Sequence, residues 1–158
     1  MNKTAKTHIA ALFLTLALPL VANAEAVCVQ TKTAILRKGP STSFPVTWTV
    51  GQNMPFLRVT EKGGWSEVKD LDGQLHWVSS RVLSAKFQCG VVKAKQAKLR
   101  RGGASKAPAS LETADRYTPF RKVDRDGTQI LVQDEYKAEY WIAENALWTP
   151  AVRTAISF

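Results

Sequence analysis

The chain repeats itself, and this duplication limits the folds that it can adopt. Six segments of the first half return in the same order in the second half, at an offset of 63 residues and then of 64. A period of this length exceeds the unit of a common solenoid and suits a small domain present twice. Each copy must then bury a core of its own. The matching pairs are 36–39 with 99–102, Pro45 with Pro108, 55–56 with 119–120, Val59 with Val123, 76–78 with 140–142 and Leu83 with Leu147.

Within the first copy, short runs rich in Val, Thr and aromatic residues are separated by Gly, Pro and Asp. These runs have the length of strands, and no stretch after residue 24 sustains an apolar period of 3.6 residues. The segments 61–64 (EKGG) and 70–73 (DLDG) predict hairpin turns in which Gly supplies a positive φ. The sequence therefore predicts an all-β protein built as two small half-open barrels in tandem. The runs are 27–35, 46–50, 56–60, 65–69 and 76–78.

The second copy repeats the strand pattern of the first, but some motif residues are replaced. At the offset of 64 residues, Gln129 replaces Trp65 and Lys137 replaces Gly73. We expect the same fold with a diverged surface. The predicted strand cores are 91–92, Leu111, 120–123, 130–132 and 140–142.

The first 24 residues have the pattern of a secretory signal. Lys3 and Lys6 precede an apolar run over 9–21, and the small residues of 22–24 (ANA) follow. The run is short for a membrane span, although an uncleaved anchor stays an alternative. We expect a cleaved signal peptide and export to the bacterial periplasm or beyond the cell. The expected organisation is then 1–24 signal, 25–87 first domain, 88–148 second domain and 149–158 C-terminal tail.

Export changes the interpretation of the two cysteines. In an oxidising compartment, an even pair is most simply a disulfide, here between Cys28 and Cys89. Two buried free thiols are the alternative. A nucleophilic role is a weak case, because a reactive thiol needs a base and His76 is the only histidine left after the signal.

The sequence offers no catalytic or metal constellation. His76 lies in a predicted strand and has Tyr140 as its counterpart, which argues against a metal ligand or a general base. Neighbouring carboxylates such as Asp124 and Asp126 fall at turns, where Asp stabilises the backbone. We expect no enzyme activity, no metal and no cofactor.

The aromatic residues divide into core candidates and groove candidates. Trp77 and Trp141 are expected to fill the two barrels. An aromatic groove can bind an extended peptide through ring contacts. The predicted groove residues are Trp48, Trp65, Tyr117, Tyr136 and Tyr140.

Basic residues concentrate where the second copy begins. The formal charge of +9 falls to +7 once Lys3 and Lys6 leave with the signal, and a run without acids over 86–106 carries seven cations. Alternation over 93–98 can place ammonium groups on one strand face, where they would attract an anionic polymer. A solubilising face is the alternative, and export argues against nucleic acid. The predicted strip is Lys93, Lys95, Lys98, Arg100, Arg101 and Lys106.

Taken together, these motifs resemble the bacterial SH3-like domain of exported and wall-associated proteins. The first copy carries LRKGP at 36–40, PV at 45–46, GW at 64–65 and GQLHWV at 73–78. The second copy lacks the tryptophan of the third motif and has Gly103 in place of Pro40. The resemblance covers about residues 27–148.

The resemblance implies a binding role and a disulfide that closes the first domain. The ends of an SH3-like barrel lie close together, so a bridge from Cys28 to Cys89 would close the first domain. The expected function is non-catalytic recognition of a peptidoglycan peptide or an envelope protein. A structural or accessory subunit of an envelope assembly, without a wall ligand, is the second hypothesis.

Overall fold

The computed structural model describes residues 24–104 and 112–151. Almost all of the expected signal peptide, Lys106 of the basic strip, Leu111 and residues 152–158 of the tail lie outside the described residues. Within the described part, no helix is both long and apolar enough to span a bilayer.

The first half of the chain forms one antiparallel sheet of seven short strands. A single 3₁₀ turn, Ser80–Val82, precedes the last of them. Their order in the sheet is β3-β2-β6-β5-β4-β1-β7. The strands are β1 (Glu25–Val29), β2 (Thr33–Arg37), β3 (Val46–Gly51), β4 (Pro55–Lys62), β5 (Trp65–Lys69), β6 (Leu75–Ser79) and β7 (Leu83–Ser84).

The second half repeats this topology, except that the counterpart of β2 is divided into two strands, so that eight strands form two sheets. Its main sheet has the order β10-β14-β13-β12-β8-β15, and β11 pairs with β9 beside it. A 3₁₀ turn, Glu144–Ala146, again precedes the last strand. The all-β prediction is confirmed. The strands are β8 (Cys89–Val92), β9 (Gln96–Lys98), β10 (Arg100–Arg101), β11 (Thr113–Asp115), β12 (Pro119–Asp126), β13 (Gln129–Gln133), β14 (Glu139–Ala143) and β15 (Leu147–Trp148).

Left-handed backbone positions recur at the same places in both halves. Gly63 and Gly64, with φ of 56° and 80°, form the two-residue hairpin that the sequence predicted between β4 and β5. Gly73 has φ of 80°, and its counterpart Lys137 keeps φ of 71° without a glycine. The turn therefore survives the substitution, although a side chain makes the left-handed conformation less favourable.

Alternate residues of the strands fill two apolar cores. In β2, Ala34 and Leu36 are buried while Thr33 and Ile35 face outward. The expectation that Trp77 and Trp141 are core residues is wrong, because both side chains are only half-buried. Successive strand residues point to opposite faces, so the adjacent Val78 and Ile142 occupy the cores instead.

The first core extends into the second half of the chain. Val91 of β8 belongs to the buried cluster of the first barrel. Tyr117 and Trp148, also from the second half, pack against that cluster. The second core is built from residues of β8 onward. The two halves therefore share an apolar contact in addition to their separate interiors.

The predicted disulfide between Cys28 and Cys89 is present, with an S–S distance of 2.09 Å and a Cα–Cα distance of 6.1 Å. Cys28 lies in β1, and Cys89 is the first residue of β8. The bridge thus ties the first strand of one sheet to the first strand of the other, and both sulfurs are buried.

Removal of the disulfide should lower stability substantially. The bridge spans a sequence separation of 61 residues, and the chain-entropy model gives about 4 kcal/mol for a loop of that length. We expect the double variant Cys28→Ser, Cys89→Ser to lose free energy of unfolding of this order in urea denaturation. An unchanged unfolding midpoint in the double variant would show that the bridge is dispensable.

A second prediction concerns the turn between β5 and β6. The variant Gly73→Ala should destabilise the fold by about 1 kcal/mol, because an L residue is disfavoured at positive φ. A Cβ at Gly73 meets nothing within 4 Å, so the cost is conformational. Gly51→Ala is the matched control, since a Cβ there is equally free of neighbours and no positive φ is involved. Equal thermal stability of the two variants would contradict this account.

Candidate binding site

A groove opens in the first barrel where β2 and β6 diverge. β2 pairs with β3 over five residue positions but meets β6 only at Arg37 opposite Trp77. Trp65, placed by the glycine hairpin at the start of β5, lies opposite Ser79 and forms one wall. The groove has a volume of about 250 Å³. It is lined by Thr33, Ala34, Ile35, Arg37, Thr42, Trp65, Val78, Ser79 and Val82.

The walls of this groove combine apolar and hydrogen-bonding groups. Ile35 is 46% exposed and Trp65 is half-buried, so an apolar surface faces solvent. Thr42 and Ser79 contribute hydroxyl groups that can donate or accept. Such a mixture suits a ligand with both aliphatic and polar parts.

Arg37 supplies the charge of the groove. Its Nη1 donates to the carbonyl oxygen of Phe44 at 2.8 Å, which holds the loop between β2 and β3. The Phe44 ring packs on Gly39, where a Cβ would stand 2.6 Å from it. No ion pair of residues 24–104 and 112–151 includes Arg37. Its remaining donors are therefore not committed to a carboxylate of the described chain.

Trp48 and Tyr117 lie at the contact between the two barrels. Their ring centroids are 5.0 Å apart with an interplanar angle of 84°, an edge-to-face pair. Both rings also pack against the first core. Their aromatic surface is thus used largely within the protein.

Arg116 reinforces the same contact. Its guanidinium lies 5.2 Å from the centre of the Tyr117 ring. Nη2 donates to the Oδ1 atom of Asp72 at 2.5 Å, and Nη1 donates to the carbonyl oxygen of Lys93. One side chain therefore links the turn after β5 in the first barrel to two segments of the second.

His76 takes part in a hydrogen-bond chain below this contact. Its Nε2 lies 3.3 Å from the Oδ2 atom of Asp70, and its Nδ1 lies 2.9 Å from the hydroxyl of Thr47. The other carboxylate oxygen of Asp70 accepts from the backbone N–H groups of Asp72 and Gln74. Asp70 thereby stabilises its own turn and orients the imidazole.

The second barrel reproduces this arrangement with a different ring. Asp134 accepts from the backbone N–H groups of Tyr136 and Ala138 through one oxygen. The hydroxyl of Tyr140 donates to its other oxygen at 3.4 Å. Because Tyr140 makes the same kind of hydrogen bond to an aspartate as His76 does, the carboxylate–ring pair has a structural role in both barrels. Tyr140 is completely buried and contributes no surface to a groove.

Tyr136 lies in a separate cleft between the barrels. Its side chain is 76% exposed. The cleft, of about 260 Å³, runs from Gly51 and Gln52 of the first barrel to Thr118 and Pro119 of the second. The five aromatic residues predicted for one groove are therefore distributed over the Trp65 groove, the barrel contact, the second core and this cleft.

Ile35, Arg37 and Thr42 were not among the predicted groove residues. The alternation of β2, with Ala34 and Leu36 apolar and flanking residues outward, was a signal that placed Ile35 and Arg37 on one exposed face. The divergence of β2 from β6 has no such signal in the sequence.

The basic strip is less regular than the sequence predicted. β9 begins at Gln96, so Lys93 and Lys95 precede it and only Lys98 lies in that strand. Arg100 and Arg101 form β10, with the guanidinium of Arg100 placed 5.9 Å from the centre of the Trp141 ring. All five side chains are exposed, while Lys106 lies outside the described residues.

No group of three His, Cys, Asp or Glu side chains in the described ranges is arranged to hold a metal ion.

One family model matches within the first barrel. Residues 30–85 match the family model of the bacterial SH3 domain, and the match covers about a third of the chain. No curated protein matches the chain.

Solved structures similar to the chain include three related proteins. An NlpC/P60 family protein from Bacillus cereus ATCC 10987 has 12% identity and a TM-score of 0.38, over 84% of this chain and 59% of its own. NlpC2 from Trichomonas vaginalis has 11% identity and a TM-score of 0.34, over 85% and 52%. NlpC1 from the same organism has 12% identity and a TM-score of 0.35, over 92% and 54%. The chain thus spans between half and three-fifths of these structures.

The Trp48–Tyr117 pair should contribute measurable coupling between the barrels. In a double-mutant cycle of Trp48→Ala and Tyr117→Asn, we expect a coupling free energy of about 1 kcal/mol in chemical denaturation, as for other edge-to-face pairs. Asparagine is used because residue 117 has φ of 70°. Trp48→Ala combined with Tyr136→Ala should be additive. Additivity in both cycles would contradict the contact.

Proposed function

We propose that this chain is a non-catalytic binding protein of the bacterial envelope, with an extended peptidoglycan peptide held in the Trp65 groove. The observation that carries the proposal is the gap between β2 and β6, within the part of the chain that matches the bacterial SH3 domain. Trp65 and Ile35 form its walls, and Arg37 supplies its charge. The proposal includes a second SH3-like domain over 88–148 and export through the predicted signal peptide.

The chemistry of a wall peptide fits this groove. Such peptides are short and extended, carry alanine methyl groups and expose free carboxylates. Trp65 and Ile35 can pack on the methyl groups, and the guanidinium of Arg37 can pair with a carboxylate. The hydroxyls of Thr42 and Ser79 can bond to peptide amides.

The two barrels differ at this groove, and the difference favours recognition by the first. Gln129 stands at the position equivalent to Trp65, so the second barrel lacks the aromatic wall.

The hydrogen bond between the His76 ring and the Asp70 carboxylate has a counterpart between Tyr140 and Asp134 in the second barrel. This counterpart supports a structural rather than a catalytic role for His76.

The disulfide supports the proposed location. Cys28 and Cys89 form a buried bridge, and persistent structural disulfides belong to oxidising compartments. We therefore place the protein in the periplasm or outside the cell.

One observation favours the second hypothesis, an accessory subunit of an envelope assembly. Apolar side chains stay exposed on the first barrel: Phe44 is 42% exposed, while Val46 and Leu75 are each 52% exposed. A protein partner could cover them. In that case a single protein should dominate cross-linking in intact cells.

Substitution of Trp65 tests the wall-peptide proposal. We expect Trp65→Ala to weaken retention on purified peptidoglycan at least tenfold, because a ring wall of the groove is lost. Tyr136→Ala is the matched control: it also removes an aromatic ring, but from the cleft between the barrels. Binding is measured by co-sedimentation at two salt concentrations, with the fold of each variant checked by near-ultraviolet circular dichroism.

The two variants distinguish the alternatives. Loss of binding in Tyr136→Ala with retention in Trp65→Ala would move the site to the inter-barrel cleft. Absence of wild-type retention, together with one dominant cross-linked protein, would favour the accessory-subunit hypothesis. Retention that disappears at moderate salt in every variant would indicate binding through charge alone.

A further inference from the structure

A second groove, on the second barrel, is lined mainly by cations. It lies between the segment that follows β7 and the strands β12 and β13, and its volume is about 470 Å³. Four basic side chains and one carboxylate line it. They are Lys86, Arg121, Lys122, Arg125 and Asp124.

Part of this charge is balanced inside the protein. Arg125 donates to the carboxylate of Glu144 at 2.7 Å and to the carbonyl oxygen of Gly127 at 2.9 Å. Asp124 accepts from the backbone N–H of Arg125. No ion pair in the described parts of the chain includes Lys86, Arg121 or Lys122. These three cations therefore form a charge excess at the groove.

Arg121 is held in place by an aromatic ring. Its guanidinium lies 4.8 Å from the centre of the Phe87 ring, which also lines the groove. A cation over a ring face is attracted by the ring quadrupole, and the planar guanidinium keeps its donor edge free. That edge can bind two oxygens of one oxyanion.

The duplication provides an internal reference for this charge. In the first barrel, Arg58 forms ion pairs with both Glu25 and Glu61. The ladder between β4 and β5 shifts register between Arg58 and Thr60, and the ladder between β12 and β13 shifts at the equivalent place, between Lys122 and Asp124. The two strands thus share one backbone frame.

The net charge of the side chains on this frame differs in sign between the two barrels. By the repeat offsets, Lys122 replaces Arg58, Gln88 replaces Glu25 and Arg125 replaces Glu61. A cluster of two acids and one base has become one amide and two bases. Because the first barrel forms the same frame with two acids and one base, the fold does not require the cationic version.

We infer that this groove binds a phosphate group, carried by a phosphodiester or polyphosphate, through Arg121 and Lys86. Lys122, the next residue of β12, projects to the opposite face of the strand and contributes its charge over a longer distance. A groove of about 470 Å³ is larger than one free phosphate needs, which favours a substituted or polymeric phosphate. This site is separate from the Trp65 groove and does not depend on wall-peptide binding.

Paired charge substitutions test the inference. Binding of sodium tripolyphosphate is measured by titration calorimetry at low and physiological salt. The variant Arg121→Gln, Lys122→Gln should raise Kd at least tenfold. The control Lys32→Gln, Lys62→Gln removes two positive charges from exposed positions of the first barrel, away from this groove, and should change Kd less than threefold.

A milder variant distinguishes a loss of binding from a loss of folding. Gln88→Glu restores one acid of the first barrel without removing a cation, and it should weaken binding severalfold. Gln74→Glu, an exposed amide in the first barrel, is its control. Equal losses in the groove variants and their controls would overturn the inference, because general attraction would then suffice.

A second experiment distinguishes a soluble phosphate from a lipid headgroup as the ligand. Vesicles of phosphatidylcholine with about 30% phosphatidylglycerol, which gives their surface a negative potential, are tested by flotation. Tripolyphosphate binding with no flotation assigns a soluble phosphate, and flotation lost in the groove variants assigns a lipid headgroup. No wild-type binding in either arm would overturn the inference.

Discussion

The first barrel is closed by residues of the second half of the chain. Val91 completes its buried cluster, and Tyr117 and Trp148 cover it. The disulfide from Cys28 to Cys89 joins the first strands of both sheets next to this contact. Apolar burial and a covalent tie therefore act on the same interface. The orientation of the two barrels, and with it the placement of their grooves, depends on this shared packing.

Duplication has kept the frame and changed the surfaces. Each barrel retains an aspartate that binds its own turn and one ring, Asp70 with His76 and Asp134 with Tyr140. The outward positions have diverged instead. The aromatic wall at Trp65 has no counterpart in the second barrel, and the ion-paired Arg58 cluster of the first corresponds to a cationic groove in the second. Two similar barrels thus present two chemically different surfaces.

The sequence was sufficient for the features that short-range rules control. The hairpin at Gly63 and Gly64 followed from the need for positive φ. The strand pattern and the all-β class followed from alternation and turn residues. The cysteine pair was predicted from compartment and family resemblance, with free thiols left as the alternative.

Other features depend on tertiary contacts that no local pattern reveals. Trp77 and Trp141 were assigned to the cores because they are large. Successive strand residues point to opposite faces, however, and the adjacent Val78 and Ile142 are the ones buried in the cores. Trp48 and Tyr117 were assigned to a groove, yet they meet each other across the barrels at 5.0 Å. The groove beside Trp65 exists because β2 leaves β6 after one residue pair, which only the sheet register shows.

We expect the two-barrel frame to carry two independent sites. Titration of ¹⁵N-labelled protein, followed by two-dimensional NMR, tests it most directly with a soluble wall tripeptide and tripolyphosphate as separate ligands. We expect the peptide to shift the resonances of the Trp65 indole N–H and of amides in β2 and β6, and tripolyphosphate to shift those of residues around Arg121. Overlapping sets of shifted resonances, or peptide shifts centred on Tyr136, would contradict it.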